Sequence, residues 1–142
     1  MMIKTNQEVG RLILRITVGG LLLFHGIKKV VDGHDFIRKV LGEAGLPEFL
    51  WAGVPIAEVV APILLILGIF TRSAAALIAF TMVMTVYLAY GWAGFELTNL
   101  GAFKIELNLF FLLTAISIFY LGAGKLALSE SIFKSKPNFK NL

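Results

Sequence analysis

The chain has 142 residues, the size of one domain, with 58% hydrophobic and 15% charged side chains and a mean hydropathy of +0.85. Soluble domains average about 45–50% apolar and about 25% charged residues; this chain has too little charge to cover a water-facing surface, and its excess apolar surface must face lipid. The absence of cysteine excludes disulfides, thiol redox chemistry, thiolate zinc, iron–sulfur clusters and covalent haem, and a net charge of +4 without a long basic face suits anionic headgroups and not nucleic acid.

Four apolar stretches, each near the roughly 20 residues that cross a hydrocarbon core, predict an all-α bundle of four transmembrane helices in a single membrane domain, residues 1–142. The expected spans are about 11–31, 49–70, 73–93 and 104–122, followed by a tail over 126–142. Span one carries Arg15, His25, Lys28 and Lys29 among its apolar residues. Lys4, Arg11 and Arg15 could serve a signal peptide, but no small-residue cleavage site follows, so the segment reads as retained.

Between spans one and two, Phe36, Ile37, Val40 and Leu41 recur at helical spacing, which predicts a short helix lying on the membrane. Gly45 and Pro47 end it before span two. Phe70-Thr71-Arg72 forms a tight turn that makes spans two and three antiparallel neighbours. Gly91 to Lys104 is a polar, Gly-containing loop. Gly122-x-Gly124-Lys125 closes span four as a helix C-cap, and the Ser/Lys-rich tail beyond it is expected to be poorly ordered at its end.

Four spans put both termini on one side. Eight Lys and Arg residues then fall on the terminal side and five on the other, so the termini are expected in the cytoplasm and the chain in the cell (inner) membrane.

Ionisable groups at mid-bilayer cost about 2.5–3.5 kcal/mol each on insertion scales, and they normally face the bundle interior. Glu58 is the deepest, nine residues into span two and flanked by Pro55 and Pro62. Each proline removes an N–H and frees the carbonyl four residues earlier, here those of Trp51 and Glu58. A kinked span with a carboxyl group beside open backbone acceptors reads as a site, against the plainer reading of a carboxyl tied to a neighbouring span. His25 and Lys29 share a face at i, i+4, with Gly26 allowing close approach. The plainer readings there are a snorkelling lysine and a histidine bonded to a neighbour. Glu106 opens span four, where a helix N-terminus favours an acid in any case. His25, Lys29, Glu58 and Glu106 are therefore the candidate ligand-binding set. They are expected to converge on one cavity in the membrane half away from the termini. Arg15 and Arg72 are assigned structural or headgroup-binding roles. One imidazole and two acids make a poor metal set, so no metal centre is assigned.

Three segments carry a resemblance. Arg15 followed by Phe24-His25-Gly26-Ile27-Lys28-Lys29 looks like the first-span pattern of the DoxX family of small bacterial and archaeal membrane proteins. Pro55-Ile56-Ala57-Glu58-Val59-Val60, with Leu67-Gly68-Ile69-Phe70-Thr71-Arg72, resembles its second span. Ile105-Glu106 with Leu121-Gly122-Ala123-Gly124-Lys125-Leu126-Ala127-Leu128-Ser129 is similar to its fourth span and closing Gly-rich tail, although the family often has Arg where Lys125 stands. The resemblance covers about residues 11 to 130 and implies four membrane helices, with family polar positions at His25, Lys29, Glu58, Arg72 and Glu106. It implies no single activity. Some members resemble a subunit of a thiosulfate:quinone oxidoreductase or carry quinol oxidase labels, and others are linked to oxidative-stress complexes.

Three functions compete on this basis. A quinone-interacting redox subunit would use His25, Lys29 and Glu58 as hydrogen-bond and proton groups. It would need a partner redox protein or a second copy, since the chain carries no electron carrier of its own. No cofactor beyond quinone is expected. Two histidines are too few for an oxidase acting alone. The alternatives are a non-catalytic scaffold and a small-solute or proton carrier, the latter weakened by the lack of internal inverted symmetry.

Overall fold

The computed structural model describes residues 2–129, and these are helical apart from short connections. Helix α1 runs over Met2–Asp32. It begins earlier than span one was expected to, because nothing between Met2 and Gly10 breaks a helix. A short helix, α2, covers Asp35–Glu43 and has Leu41 buried, where an amphipathic segment was expected. The next apolar helix, α3, spans Glu48–Leu67. It ends at Leu67, three residues before the expected boundary, because Gly68 takes the left-handed conformation (φ 72°) and stops the ladder. Helix α4 covers Thr71–Phe95 and α5 covers Glu106–Leu121. An antiparallel bridge, Leu97 to Phe103, pins the loop between them.

Three of these helices, α1, α3 and α4, are long and apolar enough to cross a membrane. The fourth, α5, has 16 residues, or about 24 Å of helix against a hydrocarbon core of roughly 30 Å. It is shorter than the expected 104–122. The poorly ordered end expected of the tail lies outside the described residues.

The helices close into a ring in which α1 packs on α3, α3 on α4, α4 on α5, and α5 back on α1. Val18, Leu22, Leu65, Ile78, Met82, Phe111 and Ile118 fill its centre, with Ala61, Ala74, Ala75 and Ala115 where the helices approach closely. Small residues are what allow apolar helices to pack without water to drive them together. The large apolar side chains left exposed, such as Phe80, Leu113 and Tyr120, are distributed around the outside of the ring. That is the pattern of a molecule whose solvent is lipid.

Candidate functional site

Helix α3 is not a continuous α-helix. A 3-10 turn over Glu48–Ala52 leads into one α turn at Gly53–Pro55. A π segment follows at Ile56–Val60, and the α-helix Ala61–Leu67 completes the span. The cause is local: the two prolines flanking Glu58 cannot donate, and the backbone slips to i→i+5 bonding, with the Ala61 N–H reaching the Ile56 carbonyl. The interruption falls where the prolines predicted it and turns Glu58 inward, leaving it 2% exposed. Pro62 offers no N–H to the Glu58 carbonyl. That carbonyl lies against Gly26 of α1, so closely that a Cβ at position 26 would overlap it.

Close approach at Gly26 brings Lys29, one turn further along α1, onto the Glu58 carboxylate. Lys29 Nζ lies 2.5 Å from Glu58 Oε1, with the lysine side chain 41% exposed and that of the glutamate 2%. The other oxygen, Oε2, is buried with no hydrogen-bond partner among the described residues. An unpaired buried carboxylate oxygen is costly in a low-dielectric interior, and such groups mark sites where a partner is added.

Lys29 and Glu58 sit on the wall of a cleft of about 440 Å³. Its other walls are apolar: Phe36, Ile37, Val40 and Leu41 of α2, Leu50 and Val54 of α3, and Leu77, Phe80, Met84 and Leu88 of α4. Polar lining is sparse, comprising the ion pair, Asp32, Thr81 and Thr85. A cleft with apolar walls and one charged feature suits a hydrophobic molecule with a polar head. Helix α2 roofs it. Its Arg38 is held by Glu48 at 3.5 Å and lies 5.0 Å above the Trp51 ring, which also meets the His34 ring at a tilt with centroids 4.6 Å apart.

The expected convergence of four residues is reduced to two. His25 is exposed, its ring edge-on to Phe111 of α5 with centroids 6.1 Å apart, and it does not line the cleft. Successive helical residues turn by about 100°, so His25 and Lys29 stand about 40° apart around α1. The long lysine stem reaches across that angle towards α3, whereas the short imidazole remains on the α5 side. Glu106 is exposed in the first turn of α5, also away from the cleft. Thr81, Thr85 and Asp32 did not stand out in the sequence, although the i, i+4 pair of hydroxyls in an otherwise apolar span was a usable signal.

Arg15 requires a correction. It was expected to serve as structural support or to reach headgroups, and the headgroup role does not fit, since the residue is 1% exposed. Its guanidinium donates from Nη1 to the carbonyls of Leu65 and Ile66, both at 3.4 Å, and from Nη2 to that of Leu126 at 2.6 Å. It therefore closes the C-terminal end of α3 and fastens the segment after α5. Gly68 leaves room for this: a Cβ there would overlap Nη1 of Arg15 and the Ala127 side chain. Arg72 is exposed at the same end, its guanidinium beside Gly122.

Apolar helices ringed around a small core, with a buried carboxylate paired to a lysine beside an apolar cleft, define a small helical integral membrane protein. The DoxX family model matches residues 10–91, more than half of the chain. The chain belongs to the DoxX family. The matched region contains Arg15, His25, Lys29, Glu58 and Arg72 and stops before Glu106. Among similar proteins, one from Bacillus subtilis (strain 168), named "Putative oxidoreductase CatD", is 30% identical over 92% of this chain and 92% of its own. An uncharacterized protein of Haemophilus influenzae is 34% identical over 85% of this chain and 89% of its own. No solved structure matches the chain.

Proposed function

We propose that this protein is a quinone-interacting membrane subunit of a redox complex, with the cleft beside Lys29 and Glu58 as the quinone site. One observation carries the reading: Glu58 has one carboxylate oxygen held by Lys29 and the other buried without a partner, on the wall of an apolar cleft. A quinol hydroxyl is a donor suited to Oε2. A quinone carbonyl is an acceptor suited to the remaining N–H groups of Lys29. The apolar walls would hold the ring and the start of its tail. Glu58 and Lys29 would then accept and pass on protons as the ring changes oxidation state, while the electrons go to a partner. The relative named as an oxidoreductase supports a redox setting. In this reading α5 completes a fourth crossing, the chain lies in the cell (inner) membrane with cytoplasmic termini, and it acts with a partner redox protein or a second copy.

The test is titration of the purified protein in neutral detergent with a short-chain quinone, read by calorimetry. Saturable binding by the wild type and its loss in Glu58→Gln are expected. Absence of binding to a folded wild-type protein sinks the reading and leaves the scaffold function. A reporter fused after Leu142 tests the topology, and a periplasmic signal would reverse it.

A further inference from the structure

A second cleft, of about 590 Å³, lies at the opposite end of the molecule, where α1 begins and α5 ends. Its lining changes along the direction of α1. Gln7, Gly10 and Arg11 form the outer part; Ile13 and Leu14, with Leu121 of α5, form the inner part.

Arg11 is under-used by the protein. Among the described residues, only Nη1 of its donors has an acceptor, Glu8 Oε1 at 3.4 Å, and Nε is buried with none. Glu8 is itself engaged: its second oxygen accepts the backbone N–H of Lys125 at 2.5 Å, so it does not cancel the arginine fully. A second guanidinium, that of Arg72, lies outside this lining but beside the residue that follows Leu121. Arg72 Nε and Nη2 lie 3.7 and 3.8 Å from where a Cβ on Gly122 would be, and Gly122 directly follows the lining residue Leu121. Cations at the rim and aliphatic walls further in are complementary to an amphiphile whose phosphate lies outside its acyl chain.

We propose that this cleft binds the headgroup phosphate of an anionic phospholipid through Arg11 and Arg72, with one acyl chain against Ile13, Leu14 and Leu121. A guanidinium offers a planar pair of donors matched to phosphate oxygens, which suits the unpaired N–H groups of Arg11. A free phosphate would share the polar contacts but would leave the aliphatic half of the cleft unfilled. The site is separate from the Lys29–Glu58 cleft, and its fate does not depend on quinone binding.

The full-length protein in neutral detergent is titrated with phosphatidylglycerol, phosphatidylcholine or inorganic phosphate, and bound species are counted by native mass spectrometry. One phosphatidylglycerol should bind about tenfold more tightly than phosphatidylcholine, the preference expected of two cations facing an anionic headgroup. That preference should fall to within about twofold in Arg11→Gln/Arg72→Gln and persist in Glu58→Gln. Inorganic phosphate should fail to displace the lipid at equal concentration. Equal binding of the two lipids, a preference that survives in the double variant, or displacement by phosphate alone would each overturn the proposal. If the double variant does not fold, Arg72→Gln alone, at an exposed position, must still weaken the preference by about threefold.

Discussion

The backbone carbonyl of Glu58 rests on the bare Cα of Gly26, and this contact places α1 and α3 close enough for Lys29 to reach the Glu58 carboxylate. Gly26→Ala should therefore push the two helices apart and cost about 1–3 kcal/mol, the range for overpacking a tight interior. Gly20→Ala on the same helix meets nothing within 4 Å and should be neutral or slightly stabilising. Thermal unfolding of both variants in one detergent checks this. Equal melting temperatures would refute the contact.

Arg15→Ala should lower stability by about 2–4 kcal/mol, because it leaves one buried and two partly buried carbonyls, of α3 and the closing segment, without this donor. Arg15→Lys should recover less than half of that loss, since an ammonium cannot span carbonyls from two separate segments as a planar guanidinium does. A headgroup anchor would accept lysine without loss, so melting curves of the pair discriminate between the two roles.

Removing Lys29 alone leaves a buried carboxylate unpaired. Lys29→Met should destabilise the fold by about 1–3 kcal/mol, below the figure for a fully enclosed pair because Lys29 is half-buried. Adding Glu58→Leu to that variant should restore most of the loss, since apolar replacements of a charge pair are often tolerated. Additive losses in a double-mutant cycle would mean that the pair is not coupled.

His25→Ala should bind quinone as the wild type does and shift stability by under about 1 kcal/mol, the size of one edge-on aromatic contact. Glu106→Gln should likewise leave binding unchanged, because neither residue lines the cleft. A tenfold loss of affinity in either variant would bring that residue back into the site.

The one-dimensional pattern determined a good deal. Hydropathy and the scarcity of charge specified apolar helices, since only helices and closed barrels satisfy backbone polar groups in lipid and continuous apolar runs of about 20 residues suit a helix. The proline pair marked the break in α3, because a missing N–H disturbs the ladder whatever surrounds it. Burial cost singled out Glu58 as a group needing a partner, with His25 and Lys29 as the two candidates. Tertiary structure decided the rest. Glu8, Arg11, Arg15, Val18, Leu22, Gly26 and Lys29 follow one stripe along α1 at steps of three and four. Which neighbour that stripe meets at each level cannot be read from α1 itself. At one end it meets the closing turn of α3 and the segment at Leu126, so Arg15 is spent inside the protein. At the other it meets Glu58, and Lys29 pairs while His25, 40° around the helix by the 100° step, faces α5. Spacing along a helix gives angle and depth; which side chains meet depends also on which helices are neighbours and how closely they approach, and packing alone sets those.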